Sequence, residues 1–213
     1  MKPILFNTEM VRAILDGRKT VTRRVIKTES GEPLKYGQGF VIAGDRKSIG
    51  KYAYGNRAAG EPMRFVKPPY KVNNILYVRE TWCSAYDGEK YFYLADKVTE
   101  REQRRLLDYN NVKWRPSIHM PKEAARIFLK VTGVRVERLW DMTESDAVKE
   151  GFVDDRGLEY WVGNTAEGNF LEMWDTTIKK DQLQYYGWNA NPYVWVIKFE
   201  TIDRETALKE GQP

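Results

Sequence analysis

The chain has one cysteine, one histidine and no long apolar run among its 213 residues. Each scarcity removes a class of chemistry. With Cys83 alone there is no internal disulfide, no thiolate cluster and no cysteine-based zinc site. Cys83 follows a strand-like segment and reads as a small packed residue. With His119 alone a multi-histidine metal centre is impossible, and no Gly-x-Ser-x-Gly elbow accompanies it for a serine triad. The first apolar run stops after three residues at polar Asn7, so neither a signal peptide nor a membrane span is expected, and a reducing cytoplasm is the expected location. What remains for chemistry is Lys, Thr, Ser, Tyr and the carboxylates, with His119 as a possible addition. No metal or cofactor is implied.

Cations and aromatics are abundant. Lys and Arg number 35 against 30 Asp and Glu, a formal charge of +5 that permits an anionic partner without requiring one. Thirteen tyrosines and seven tryptophans suit both sheet surfaces and base stacking.

The densest group of polar chemistry lies near the start. Ile4-Leu5-Phe6 reads as a short strand, Asn7 or Thr8 can cap a helix over Glu9 to Leu15, and Gly17 supplies the left-handed residue that ends it. Arg18-Lys19-Thr20-Val21-Thr22-Arg23-Arg24 follows as an extended segment. Strict alternation sets Arg18, Thr20, Thr22 and Arg24 on one face. A turn just before Lys19 breaks that alternation and lets Lys19 and Thr22 converge.

Thr28 to Asn74 carries seven glycines and four prolines, which argues against long elements, although Phe40-Val41-Ile42-Ala43 has strand character. Between Arg46 and Lys71 seven basic residues stand against one acid, interleaved with Tyr52, Tyr54, Phe65 and Tyr70. This basic stretch is either a surface for a nucleic-acid backbone with stacked bases or a solvated insertion. Ile75 to Val78 is a clear strand running into Arg79-Glu80-Thr81-Trp82. A carboxylate at the end of a buried strand is either poised for work or paired with one of the arginines. Asp87-Gly88 signals a hairpin turn before the strand Tyr91 to Ala95, and Thr99 to Asn110 reads as an exposed amphipathic helix.

Trp114-Arg115-Pro116-Ser117-Ile118-His119-Met120-Pro121 is held extended by its prolines, so that Trp114, Ser117 and His119 either line a pocket or pack under the sheet. Ala125 to Leu139 reads as one long or bent strand with a bend at Gly133. Thr143 caps a short helix ending at Gly151, and an irregular arm spans about 151–165. Phe170, Met173, Trp174 and Ile178 form a core stripe at helical spacing, Tyr193 to Glu200 a final strand, and Thr201 to Pro213 a charged, frayed tail. No linker divides the chain. The expectation is one domain over 1–213, of class α+β or mainly β, built as a partly open β-barrel decorated with short helices, with an insertion at about 28–74.

Gly17-Arg18-Lys19-Thr20-Val21-Thr22 after an amphipathic helix, followed by a strand ending Val78-Arg79-Glu80-Thr81-Trp82, resembles the ASCH domain, a PUA-like β-barrel associated with RNA. The segments around Trp114 to Pro121, Val134 to Leu139 and Trp188 to Trp195 resemble the longer ASCH proteins of bacteriophages and prophages. Where that family often has Gly-Asp before the central strand, this chain has Asn73-Asn74. The resemblance implies a nucleoside, nucleotide or RNA ligand. Small bacterial members include an amidohydrolase of N(4)-acetylcytidine that uses a lysine, a threonine and a glutamate, which match Lys19, Thr22 and Glu80. Thr22 would then be the nucleophile, Lys19 its base and Glu80 the acid or orienting group. Arg18, Arg24, Arg79, Trp82, Trp114, Ser117 and His119 are the accompanying candidates for holding substrate. A non-catalytic RNA- or nucleotide-binding module and a ribonuclease are the alternatives the same resemblance allows.

Overall fold

The computed structural model describes residues 1–31, 33–85, 90–96, 108, 113–154 and 165–211. The Asp87-Gly88 turn, nearly all of the Thr99 to Asn110 segment and most of the arm at 151–165 lie outside them. The described residues form ten strands and five α-helices, a mixed α+β fold. None of these helices is long and apolar enough to cross a membrane.

Strand β1 (Lys2–Leu5) runs parallel to β6 (Ile75–Arg79), and β6 pairs antiparallel with β9 (Phe128–Arg138). Strand β10 (Tyr193–Ile202) pairs antiparallel with β2 (Val21–Val25). The sheet order is β1-β6-β9-β10-β2, so this is an open sheet with β1 and β2 at its edges, not a closed barrel. Strands β3 (Gly37–Phe40), β4 (Tyr52–Tyr54) and β5 (Arg64–Val66) form a second sheet, and β7 (Trp82–Ala85) pairs with β8 (Lys90–Tyr93).

By contacts the chain divides into two compact units. The first comprises Met1–Thr20, Asn73–Val131 and Phe199–Pro213, the second Val21–Val72 and Thr132–Lys198. Strands β9 and β10 each contribute residues to both.

In the first unit, helix α1 (Thr8–Leu15) starts where the Asn7 side chain accepts from the Met10 N–H at 2.8 Å, and buries Val11, Ala13 and Ile14. Gly17 follows at φ +75°, and its N–H returns to the Ile14 carbonyl. Ile75, Tyr77, Trp82, Met120 and Phe128 make a core sealed by Ala207 of α5 (Arg204–Glu210). The tail therefore does not fray at Arg204: Asp203 caps this helix by accepting from the Thr206 N–H at 2.8 Å. Asn73 takes the left-handed conformation at φ +67°, which asparagine tolerates, and the turn is tied by paired bonds of Asn73 and Asn74 with Val131.

In the second unit the glycine-rich insertion is organised rather than loose. Tyr52, Ala53 and Tyr54 of β4 are all buried, and Phe40, Tyr52 and Trp195 form an aromatic triangle with centroids 5.4–6.2 Å apart. A side chain at Gly37 would meet the Tyr52 hydroxyl at 2.6 Å, so the first strand of this sheet needs glycine there. That strand ends at Phe40; Ile42, expected within it, is 89% exposed. The second core gathers Val21, Leu139, Val194 and Val196 around Phe170 and Trp174 of α3 (Ala166–Thr176), as the helical stripe predicts. Helices α2 (Glu144–Lys149) and α4 (Leu183–Tyr186) complete this unit, and a Thr143–Asp146 capping box opens α2.

Candidate functional site

The turn option at Lys19 is the one realised. After Gly17 the N–H groups of Arg18 and Lys19 both donate to the Ala13 carbonyl, at 2.9 and 3.0 Å, and strand geometry begins only at Val21. Arg18 is exposed and pairs with Asp16 at 3.3 Å. Lys19 turns inward. It is 2% exposed, with its ammonium 5.5 Å from the centroid of the Phe6 ring, within cation–π range.

Phe6 connects this lysine to the other candidate of the first unit. Leu5 lies opposite Arg79 in the parallel β1–β6 register, and the Phe6 N–H donates to the Arg79 carbonyl at 3.2 Å. Lys19, through its contact with Phe6, and Glu80 thus both stand at the C-terminal end of the parallel β1–β6 pair.

Glu80 is 1% exposed. Its backbone N–H donates to Met120 Sδ at 3.2 Å, and its carboxylate accepts two bonds from Arg126, from Nε and Nη2, each at 3.0 Å. Of the two readings open for this carboxylate, an arginine partner is thus present. Arg126 also donates to Asp96 and stacks over the Tyr93 ring at 3.9 Å. Tyr93 in turn donates to the Ala124 carbonyl at 2.6 Å. Burial pushes the Glu80 carboxyl above its usual value, Arg126 opposes this by hydrogen bonds and charge, and Asp96 adds to the rise. Burial likewise lifts the Tyr93 phenol to about 12. Sequence reasoning anticipated an arginine for Glu80 but did not single out Arg126, 46 residues further along.

Two buried donors stand beside this network without an acceptor among the described residues: Arg79 Nε and Trp82 Nε1. Arg79 is half-buried, donates through Nη1 to the Ile118 carbonyl at 3.2 Å and lies over Tyr77. Trp82 is 4% exposed, with the Arg115 guanidinium 5.3 Å from its ring. Trp114 and Ser117 are half-buried, and His119 is exposed at the end of the 3-10 turn Ser117–His119. Cys83 is fully buried, and burial raises its thiol against the pull of Arg115.

In the second unit Thr22 is 1% exposed on β2, opposite Ile197. Its neighbour Arg23, outside the candidate set, is the better-built site. The Arg23 side chain has no exposure and donates to Glu137 at 2.6 and 2.9 Å and to Glu150 at 3.2 Å, with Asp146 at 3.5 Å. Arg135 closes the group on Glu137 at 2.7 Å. Glu137, Glu150 and Asp146 are thus matched by Arg23, Arg24, Arg135 and Lys149, the last 3.9 Å from Asp146, which suits a structural network. Arg24 is half-buried, and burial lowers its guanidinium pKa against the charges of Glu150 and Tyr70. The carboxylates come from β9, from α2 and from Glu150 at its C-cap, too far along the chain for local patterning to reveal.

Among the described residues no three of His, Cys, Asp and Glu gather as a metal site. Compared with protein-family models, curated proteins and solved structures, the chain matches none.

Proposed function

We propose that this protein acts on a modified nucleoside, nucleotide or RNA, and that its reaction is hydrolysis of an amide such as the acyl group on N4 of cytidine. The observation that carries the reading is the near-complete removal from water of Lys19 and Glu80 at one end of the β1–β6 pair. Two desolvated ionisable groups are costly to a fold and are typical of sites where protons move. In this reading Lys19 takes the proton of an attacking hydroxyl, which the ASCH resemblance assigns to Thr22. Glu80, its carboxyl raised by burial, gives a proton to the departing amine, and the acyl group is left as an ester on the attacking hydroxyl. Water, losing its proton to Glu80, then cleaves that ester to the free acid while Lys19 returns the proton to the hydroxyl oxygen. Arg126 holds that carboxyl in one orientation through its two parallel bonds. Within the α+β class, the reading takes the chain as a PUA-like ASCH protein of the phage type, acting in the cytoplasm.

The bidentate hold of Arg126 also supports a second reading, a binding module that does no chemistry, because it occupies the carboxylate at rest. Incubation with N(4)-acetylcytidine and a panel of acylated nucleosides separates the two. Hydrolysis that disappears in Lys19→Ala and Thr22→Ala supports the first reading. Hydrolysis that survives both substitutions removes it, and salt-dependent RNA binding without any turnover selects the second.

A further inference from the structure

A cleft of about 530 Å³ opens in the second unit between the segment Ser30–Lys35 and the stretch from α4 to Pro192. Its volume lies within the range of roughly 300–1,000 Å³ that encloses small organic ligands. The walls are built, not incidental. Buried Tyr186 donates its hydroxyl to the Gly31 carbonyl at 2.9 Å, clasping the loop to α4. Trp174 Nε1 donates to the Tyr186 carbonyl at 2.9 Å and anchors α4 to α3, while Lys27 and Pro33 form a β-bridge on the loop side. Arg138 lies flat on the Tyr193 ring at 4.0 Å, with Nη1 bonded to the Asn191 carbonyl at 2.9 Å.

The groups presented to this cleft share a chemical theme. Lys35 and Arg138 are its cations, and among the described residues its lining includes no carboxylate. Tyr185, on α4, is 48% exposed, and Gln184 beside it carries a donor and an acceptor on one amide. Among the described residues the side chains of Lys35, Gln184 and Tyr185 make no hydrogen bond or ion pair. On the other side of the loop a smaller cleft of about 190 Å³ shares Ser30, Pro33 and Lys35 and adds Tyr54 and Arg64, with Glu61 as its acid. Lys35 thus stands where two neighbouring recesses meet.

We propose that the larger cleft binds a nucleotide, with the base against Tyr185 and Gln184 and the phosphate on Lys35 and Arg138. An exposed aromatic face, an amide able to read a base edge and two cations together match a planar, polar-edged ring joined to a phosphate. The ligand is a free nucleoside monophosphate or one residue of a single-stranded RNA. This site is separate from Lys19 and Glu80, neither of which lines it, and does not depend on the hydrolysis reading.

The 213-residue chain is titrated with cytidine monophosphate by calorimetry and with a labelled short oligocytidylate by fluorescence anisotropy, so failure of hydrolysis and failure of this site are read separately. Lys35→Glu and Tyr185→Ala are each expected to weaken binding by about tenfold or more, and Lys35→Glu to lower the slope against salt by about 1. Lys209→Glu makes the same charge change on an exposed helix of the first unit and is expected to leave binding intact. Binding of the monophosphate identifies a free-nucleotide site, whereas binding of the oligomer alone with the same sensitivity identifies an RNA strand. The proposal is overturned if neither probe binds, if Lys209→Glu weakens binding as much as Lys35→Glu, or if Tyr185→Ala has no effect while heparin competes fully.

Discussion

Removing Arg126 tests the electrostatics of the first unit most sharply. Arg126→Met keeps an apolar stem over Tyr93 while deleting both hydrogen bonds to Glu80, a carboxylate with 1% side-chain exposure. Breaking a buried pair by removing one partner costs about 3–5 kcal/mol. Arg126 itself retains 28% side-chain exposure, so solvent screening brings the expected loss at neutral pH to about 2–3 kcal/mol. The loss carries a pH signature. Without Arg126, the influences left on Glu80 are burial and Asp96, both of which raise its carboxyl. A carboxyl whose folded value exceeds its unfolded value binds protons more tightly in the native state, so stability is fullest at low pH and falls as pH rises through the folded value. The variant's deficit against wild type, measured by urea denaturation, is therefore largest near about pH 8 and shrinks toward about pH 5. Adding Glu80→Gln removes the buried charge and is expected to recover at least half of the deficit at the higher pH. An equal deficit at both pH values, with no recovery in the double variant, refutes the reasoning.

Three further outcomes follow from the same structure. Arg23→Met leaves Glu150, 2% exposed, without its Arg23 bond and is expected to cost about 3–5 kcal/mol in urea denaturation, whereas loss of the exposed Arg18–Asp16 pair by Arg18→Met costs less than about 1 kcal/mol. In a spectrophotometric titration of the tyrosines, Tyr93 contributes ionisation near about 12, and Tyr93→Phe lowers the amplitude in that range by one phenol. Asn7→Ala deletes the cap that accepts from the Met10 N–H and is expected to cost about 1 kcal/mol, which Asn7→Ser largely restores.

What the sequence disclosed was local. Asn7, Gly17 and the apolar spacing between them define α1 within one short window, and Thr143 with Asp146 does the same for α2. The long strands β9 and β10 and the Phe170–Trp174 stripe were legible for the same reason, since their periodicity is contained in consecutive residues. The parallel pairing of β1 with β6 was not, because nothing within Lys2–Leu5 specifies a partner more than 70 residues away. Helix α5 was missed because Ala207 is its one buried residue, leaving no apolar stripe to betray it. The insertion's sheet was hidden by glycines that punctuate a pattern and yet, at Gly37, make room for Tyr52. Of the site, Lys19 and Glu80 were found as residues with chemical promise, and both are buried. Arg126 could not be chosen from a chain with 35 basic residues, because only the tertiary fold brings its guanidinium to Glu80.

The proposed proton donation by Glu80 during amide hydrolysis is tested by kcat/KM for N(4)-acetylcytidine across pH in wild type and Glu80→Gln. Glu80→Gln is expected to lower kcat/KM by about 10²–10⁴-fold and to abolish the fall in rate as pH rises through the Glu80 value. A wild-type rate and an unchanged pH profile in Glu80→Gln would contradict it.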